Sequence, residues 1–314
     1  MQVFNMDKVS ILYCFDSKSW RMAAVSVESL LLNANPITPI TIYCMVAPGT
    51  KGHRQFKKIV KSHNMMVDLV WREIKPRENP FQTPRYSAWP AFRFYPLIAH
   101  RFFKDIDKIL YLSCNTLTFK DLHELFHTDI SDYVFAAVYD MAPINDATNS
   151  LGASVKAFSA KYLNNGPYYN AGVLLLNLKK MAEYENQFFD INAPLRFPEQ
   201  DLLNIAFAGK IKTLPLKYNL APGVGVPAHF SPEEANEINS GGHVILDCYY
   251  TKPYDKAHAN KITYDMFEKC AQNIGMNSDM FMDEDKKAEP VKKTFVPFVK
   301  IRGKTILFFG MEIK

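Results

Sequence analysis

The apolar positions of this chain follow two rhythms. Residues 9–15 (VSILYCF), 39–46 (PITIYCMV), 108–112 (KILYL), 133–138 (YVFAAV) and 168–178 (YYNAGVLLLNL) are apolar almost without a break. Runs of this length and composition predict strands buried on both faces of a sheet. Shorter runs at 67–70, 211–215 and 243–247 predict three more strands. Between them the apolar spacing lengthens to that of a helix. It does so at 23–33 (AAVSVESLLLN), 53–63 (HRQFKKIVKSH), 91–103 (AFRFYPLIAHRFF), 179–189 (KKMAEYENQFF), 199–207 (EQDLLNIAF) and 263–274, with Pro96 expected to kink the third. Residues 143–162 carry little signal and predict a mobile loop with a short helix. Strand alternating with helix predicts the α/β class: one Rossmann-like domain around a mostly parallel central sheet, helices on both faces.

The pattern changes towards the end. Residues 1–275 read as the domain. Residues 276–293, with DEDKKAE inside them, turn polar and read as a linker. Residues 294–314 form a short appendage in which Lys292, Lys293, Lys300, Arg302, Lys304 and Lys314, on and beside it, alternate with Phe295, Phe298, Phe308 and Phe309. Alternation about Arg302-Gly303 predicts a hairpin. Basic and aromatic residues together suit an anionic membrane surface, or a second subunit.

One strand breaks its own pattern. After Ile109–Leu112 come three small polar residues, Ser113, Cys114 and Asn115, before Leu117 and Phe119 resume the apolar series. In open parallel sheets ligands bind beyond the carboxyl ends of the strands. The polar residues at such ends are therefore the candidates: Asp16, Ser113, Asn115, Asp140, Asn170 at the start of its strand, and Asp247. Glu199, Gln200 and Asp201 open a helix, where N–H groups favour anions. Taken singly, each is as well explained as a cap or a local turn, and Ser113-Cys114-Asn115 as a tight turn. Together they outline a pocket for a phosphorylated, polyhydroxylated ligand.

Composition narrows the choice. The 314 residues are 48% hydrophobic and 22% charged, with a net charge of +5, which gives no basis for a nucleic-acid partner. The five cysteines are scattered and form no CxxC pair, so a reducing compartment is expected. The first residues, MQVFNMDKVSILYCF, lack the basic lead and long apolar core of a signal peptide. No stretch is long and apolar enough to span a bilayer. A cytoplasmic protein is expected, peripheral on the inner face of the membrane if the tail binds there. Cys114 reads as a buried filler, His123 and His127 as a solvated or packed pair, and His243 as a residue without an evident partner.

The order of segments resembles glycosyltransferase family 8. Tyr168–Met181 (YYNAGVLLLNLKKM) is similar to the family's N-A/S-G-V block, Pro198–Asn219 to its D-Q-D-x-x-N block and following asparagine, Lys108–Phe126 to the block carrying D-x-D, and Thr251–Tyr254 (TKPY) to K-P-W. The resemblance implies a GT-A-type fold and a retaining hexosyltransferase. Such an enzyme takes a nucleotide-sugar donor, a UDP-sugar above all, and a saccharide or lipid-linked glycan acceptor of a bacterial surface polymer.

It also implies roles. Asp16 would meet the uracil and Trp20 would stack on it. Arg93 and Lys252 would face the donor diphosphate, and Asp140 and Asn170 the sugar. Gln200 would lie nearest the reacting carbon, flanked by Glu199 and Asp201. The departures matter as much. Ser113 and Asn115 stand where the family has metal-binding aspartates, Leu246 where it has a histidine, and Tyr249 where it has a glycine. Neutral oxygens hold a hard cation weakly. Weak or absent metal dependence is therefore expected, with Asn115 and Asp247 as the remaining candidates for Mn2+ or Mg2+. A catalytically inactive relative, acting as a nucleotide-sugar-binding or scaffold partner of another glycosyltransferase, is the alternative.

Overall fold

A computed structural model describes residues 8–141, 150–222 and 231–287, together with the strands Val299–Ile301 and Lys304–Ile306. The central sheet is built from β1 (Val9–Phe15), β2 (Ile40–Val46), β3 (Val67–Glu73), β4 (Lys108–Leu112), β6 (Phe135–Ala137), β7 (Val173–Asn177) and β8 (Ile211–Thr213), in the order β3-β2-β1-β4-β7-β6-β8. Only β7 is reversed: it pairs antiparallel with β4 on one side and β6 on the other. The other observed pairings are parallel. A mostly parallel α/β sheet is thus what forms.

Unbroken apolar strands make sense once both faces are covered. In β1, Ile11, Tyr13 and Phe15 enter one core, and Leu12 and Cys14 enter the other. The first core packs beneath α1 (Trp20–Asn33) and α2 (His53–Ser62). The second packs beneath the helical segment Ala91–Arg101 and the helix Pro198–Ala206.

Four segments differ from expectation. Ala91–Arg101 winds as a 3-10 helix, without a kinked α-helix. Pro96 has no N–H and excludes the i to i−4 geometry around it, so the tighter winding prevails. β7 begins only at Val173: residues 168–170 keep an isolated antiparallel bridge, Tyr169 to Tyr139, and a bend at Ala171–Gly172 separates it from the strand. Asn170 Oδ1 accepts the Gly172 N–H at 2.7 Å, a local turn that competes with strand pairing. The run at 243–247 does not join the central sheet: β9 (Ile245–Asp247) pairs antiparallel with β5 (Thr116–Thr118), with Asp247 opposite Thr116. The polar stretch expected to be a linker carries a helix, Ser278–Lys287. Phe281 anchors it, buried with Met276 against Phe267, Cys270 and Tyr254. One aromatic anchor suffices where composition alone reads as solvated.

Ser150–Tyr162 is helical, longer than expected, while residues 142–149 and 223–230 lie outside the described residues. Val299–Ile301 and Lys304–Ile306 pair antiparallel. Arg302, Gly303, the rest of the basic and aromatic tail, and its side chains lie outside the described residues.

Helix Lys261–Asn273 docks on α1 through a buried acid. Glu28 accepts from Asn273 Nδ2 at 2.9 Å and shares a 3.0 Å hydrogen bond with His63 Nε2 at the end of α2. Glu28 is 3% exposed, so its carboxylate depends on these two partners in place of water. Glu28→Leu is expected to cost about 1–2 kcal/mol, because it removes both hydrogen bonds while Asn273 and His63 keep access to water. Urea unfolding of the variant against the parent chain measures this.

Candidate active site

The reversed strand brings three polar segments to one edge. β4 ends at Leu112 and β6 at Ala137, while β7 begins at Val173, so Ser113–Asn115, Asp140 and Asn170–Gly172 meet. The Ser113 N–H donates to the Gly172 carbonyl at 2.8 Å and closes the seam. A cleft of about 220 Å3 opens there, and its wall includes Ser113, Asn115, Asp140, Asn170, Gln200 and Asp247.

One corner of the cleft is a fixed polar network. Gln200 is 6% exposed, and its carboxamide oxygen accepts the Ala171 N–H at 2.8 Å. Its nitrogen donates to Asp140 Oδ2 at 2.7 Å, so both ends of the amide are held. Asn170 Oδ1 accepts from Gly172 N and also from Asn219 Nδ2 at 2.9 Å. A backbone N–H can only donate, so the acceptor end of Asn170 is assigned and its amide nitrogen points away from both partners. Asp247 Oδ1 accepts the Tyr249 N–H at 3.1 Å. Burial, with the Asp140 carboxylate adding repulsion against the relief from the Tyr249 N–H, pushes Asp247 up to about 7.

The cleft also holds an ion pair. Arg93, on the 3-10 segment, reaches Glu199 through Nε at 2.9 Å and Nη2 at 2.6 Å. Burial opposes the charged guanidinium, but the Glu199 carboxylate outweighs it and raises Arg93 above its ordinary value. Phe92, Phe197 and Tyr249 line the same space, the last two ring-to-ring at 6.4 Å.

Eight of the twelve sequence candidates gather here: Arg93, Ser113, Asn115, Asp140, Asn170, Glu199, Gln200 and Asp247. Four do not line the cleft. Asp201 is turned inward, accepting from the Tyr168 hydroxyl and the N–H groups of Arg196 and Phe197, and burial raises its pKa. It caps the turn entering its helix. Asp16 is tied through Oδ1 to the N–H of Lys18, and to the N–H and hydroxyl of Ser19. Ser19 reaches the cleft in its place. Trp20 lies against Gly52, where an added Cβ would come within 2.5 Å of the ring, and Arg21 sits 5.0 Å over it. Lys252 is exposed on the turn after Asp247.

The residues that pattern reading missed are Ser19, Phe92, Phe197, Asn219, Tyr249 and Gly172. Phe92 and Phe197 adjoin Arg93 and Glu199 closely enough in sequence to have been collected with them. Among the other sequence candidates, His123 and His127 stack at 4.0 Å, and burial raises the Cys114 thiol far above its usual range. His243 meets the ring of Phe119 edge-on at 4.8 Å.

Known proteins share this fold. The galactosyltransferase LgtC, solved with donor and acceptor sugar analogues, superposes with a TM-score of 0.64 at 18% identity, over 88% of this chain and 100% of that one. The bifunctional glycosyltransferase WbbM superposes at 0.68 and 19% identity, over 91% of this chain and 52% of that one. The fold is therefore of the GT-A type. The model of glycosyl transferase family 8 matches residues 10–245, and the chain belongs to that family. A lipopolysaccharide 1,2-glucosyltransferase of Escherichia coli is 27% identical over 63% of this chain, a segment that spans 58% of that relative. Galactinol synthase 4 of Arabidopsis thaliana is 28% identical over 53% of this chain and 52% of its own length.

The family resemblance raises the question of a divalent metal, and the residues present do not suit one. Among the described residues no group of three or more His, Cys, Asp and Glu side chains could hold a metal ion. Ser113 Oγ already accepts the Asn115 N–H at 3.3 Å, and Asp140 Oδ2 is committed to Gln200. The β4 turn itself offers only neutral oxygen, and Asp140 and Asp247 each already spend one carboxylate oxygen on a neighbour, a poor donor set for a hard cation.

Gly172 is needed for steric reasons. A Cβ there would lie 2.0 Å from Asp247 Oδ2 and 2.9 Å from Asn170 Oδ1. Gly172→Ala should cost about 1–3 kcal/mol of stability, and less in an Asp247→Ala background, which a double-mutant cycle by urea unfolding checks. The raised pKa of Asp247 adds a pH effect. The folded state keeps a proton that the unfolded state releases near pH 4, so this contribution is full below about pH 4 and lost as pH rises to about 7. Relative to Asp247→Asn, the parent chain should lose on the order of 4 kcal/mol across that window, measured by urea unfolding at each pH.

Proposed function

We propose that the chain is a retaining hexosyltransferase. It moves a sugar from a UDP-sugar to a saccharide acceptor of a surface or lipid-linked glycan, without a divalent metal. The observation that carries this is the fixed polar corner of Asp140, Asn170 and Gln200 in one cleft with the Arg93–Glu199 pair. Membership of family 8 and the similarity to lipopolysaccharide glucosyltransferases support it.

In this reading the polar corner holds the transferred sugar by its hydroxyls, and Gln200 supports the face of the reacting carbon. As the bond from that carbon to the diphosphate oxygen breaks, positive charge spreads over the ring and negative charge collects on the diphosphate. Arg93 meets the second, with Glu199 fixing its direction. The acceptor hydroxyl attacks the carbon from the same face, which retains configuration. The aromatic wall of Phe92, Phe197 and Tyr249 gives an acceptor ring an apolar surface. Among the described residues no helix is long and apolar enough to cross a membrane, so a lipid-linked acceptor would be met from the membrane surface.

A second reading is favoured by the poor metal donor set and by Arg93 being engaged with Glu199: a non-catalytic, nucleotide-sugar-binding partner of another transferase. One assay separates the two. UDP-, GDP- and dTDP-sugars are incubated with saccharide acceptors, each with manganese and with EDTA, following nucleotide release and donor binding. Turnover of a UDP-sugar unchanged by EDTA is expected. Turnover only with manganese overturns the metal-free mechanism. Binding with no turnover on any acceptor favours the partner reading, and no binding at all overturns both.

A further inference from the structure

The Asp247 carboxylate is not accounted for by metal binding or by the fold. It is 5% exposed, yet it lines the cleft. Its Oδ1 is occupied by the Tyr249 N–H, and its Oδ2 has no hydrogen-bond donor among the described residues. Oδ2 lies against the Cα of Gly172, where a side chain would collide with it, and Asn170 Oδ1 borders the same spot. The absence of a Cβ at Gly172 is what leaves Asp247 room to lie there.

The atom of Asn170 that borders this bare acceptor is Oδ1, and that oxygen is already filled. The oxygen of Asn170 is consumed by Gly172 N and Asn219 Nδ2, and its amide nitrogen makes no hydrogen bond among the described residues. A single open carboxylate oxygen on the cleft wall suits a group with one proton to give, and on a sugar that group is a hydroxyl. An amine would bring more protons than this one oxygen can accept. A phosphate would bring negative charge to a carboxylate.

We infer that Asp247 is a specificity-determining residue: its Oδ2, left open on the wall of the cleft, reads one hydroxyl of the transferred sugar at the place where a cation would otherwise sit. This rests on the glycosyl-transfer reading. It assigns to Asp247 a direct contact with sugar in place of metal ligation. A buried acceptor left without its hydroxyl penalises the deoxy sugar strongly.

The test compares the parent chain with Asp247→Asn. The Tyr249 N–H holds the new amide oxygen in the Oδ1 position, so the substitution presents an NH2 donor where the acceptor was, with little change of volume. Binding of UDP alone, of the UDP-hexose that binds best, and of its 2-, 3-, 4- and 6-deoxy analogues is measured by calorimetry at about pH 8.5, where the Asp247 carboxyl is ionised, in EDTA and again with manganese. Melting temperature serves as the folding check. The parent chain should bind one deoxy analogue roughly 10- to 100-fold more weakly than the full sugar. Asp247→Asn should shrink that one ratio towards unity and leave UDP affinity unchanged. Equal ratios in both proteins overturn the role of Asp247 while leaving glycosyl transfer in place. A manganese enhancement present in the parent and absent in the variant also overturns it, since Asp247 would then be a metal ligand. Failure of the parent to bind any nucleotide sugar removes the transfer reading, and this inference with it.

Discussion

A single reversed strand organises this molecule. In a wholly parallel sheet only carboxyl ends face the ligand edge, and the chain must return to the far side before each new strand begins. Because β7 runs against β4 and β6, its amino end arrives at the edge where theirs finish. Side chains that precede a strand, Asn170 and Gly172, thus meet side chains that follow strands, Ser113 and Asp140. The Ser113–Gly172 hydrogen bond and the Tyr139–Tyr169 bridge carry the pairing past the strand ends, on either side of the bend at Ala171–Gly172. Polar groups at such an ending must find partners, and Gln200 supplies them to Ala171 and Asp140 from a helix on the second face.

Much of this was legible because strand interiors and strand ends carry different signals. Val9–Phe15 and Lys108–Leu112 are buried on both faces, so apolarity marks them from end to end. The polar residues beyond them then stand out without any knowledge of the fold. What a pattern cannot carry is pairing. Arg93 and Glu199 are 106 residues apart, and nothing in either segment says that the one is spent on the other. Asp201 sits beside Glu199 and Gln200 in sequence, but on a helix start adjacent residues point in different directions. It turns inward to Tyr168 while its neighbours face the cleft. Phe281 shows the same limit in another form: a stretch polar on average still docks through one residue.

The charges in the cleft explain one another only as a set. Asp140 is satisfied by an amide, and Glu199 by a guanidinium. Asp247 has one backbone donor and little else, and its raised pKa expresses that deficit. With Ser113 and Asn115 where the family resemblance implies cation-binding carboxylates, the β4 turn itself carries no acid. Instead a carboxylate stands one residue along from the expected histidine, on β9, a strand tied to that turn through Thr116. Its side chain cannot be relocated without refilling the space over Gly172.

That steric coupling bears on how the cleft tolerates change. Gly172, Asn170 and Asp247 occupy one small volume, so the shape of each depends on the other two. A larger residue at 172 displaces the carboxylate, a smaller one at 247 opens a void beside Asn170, and either change loosens the turn whose amide direction Gly172 and Asn219 set. By contrast Arg93 and Glu199 are long side chains on two separate elements, held by bidentate contact. They can part by rotation without disturbing the backbone. The cleft therefore joins a rigid wall, suited to reading the shape of a sugar, with an adjustable one, suited to following charge as it moves.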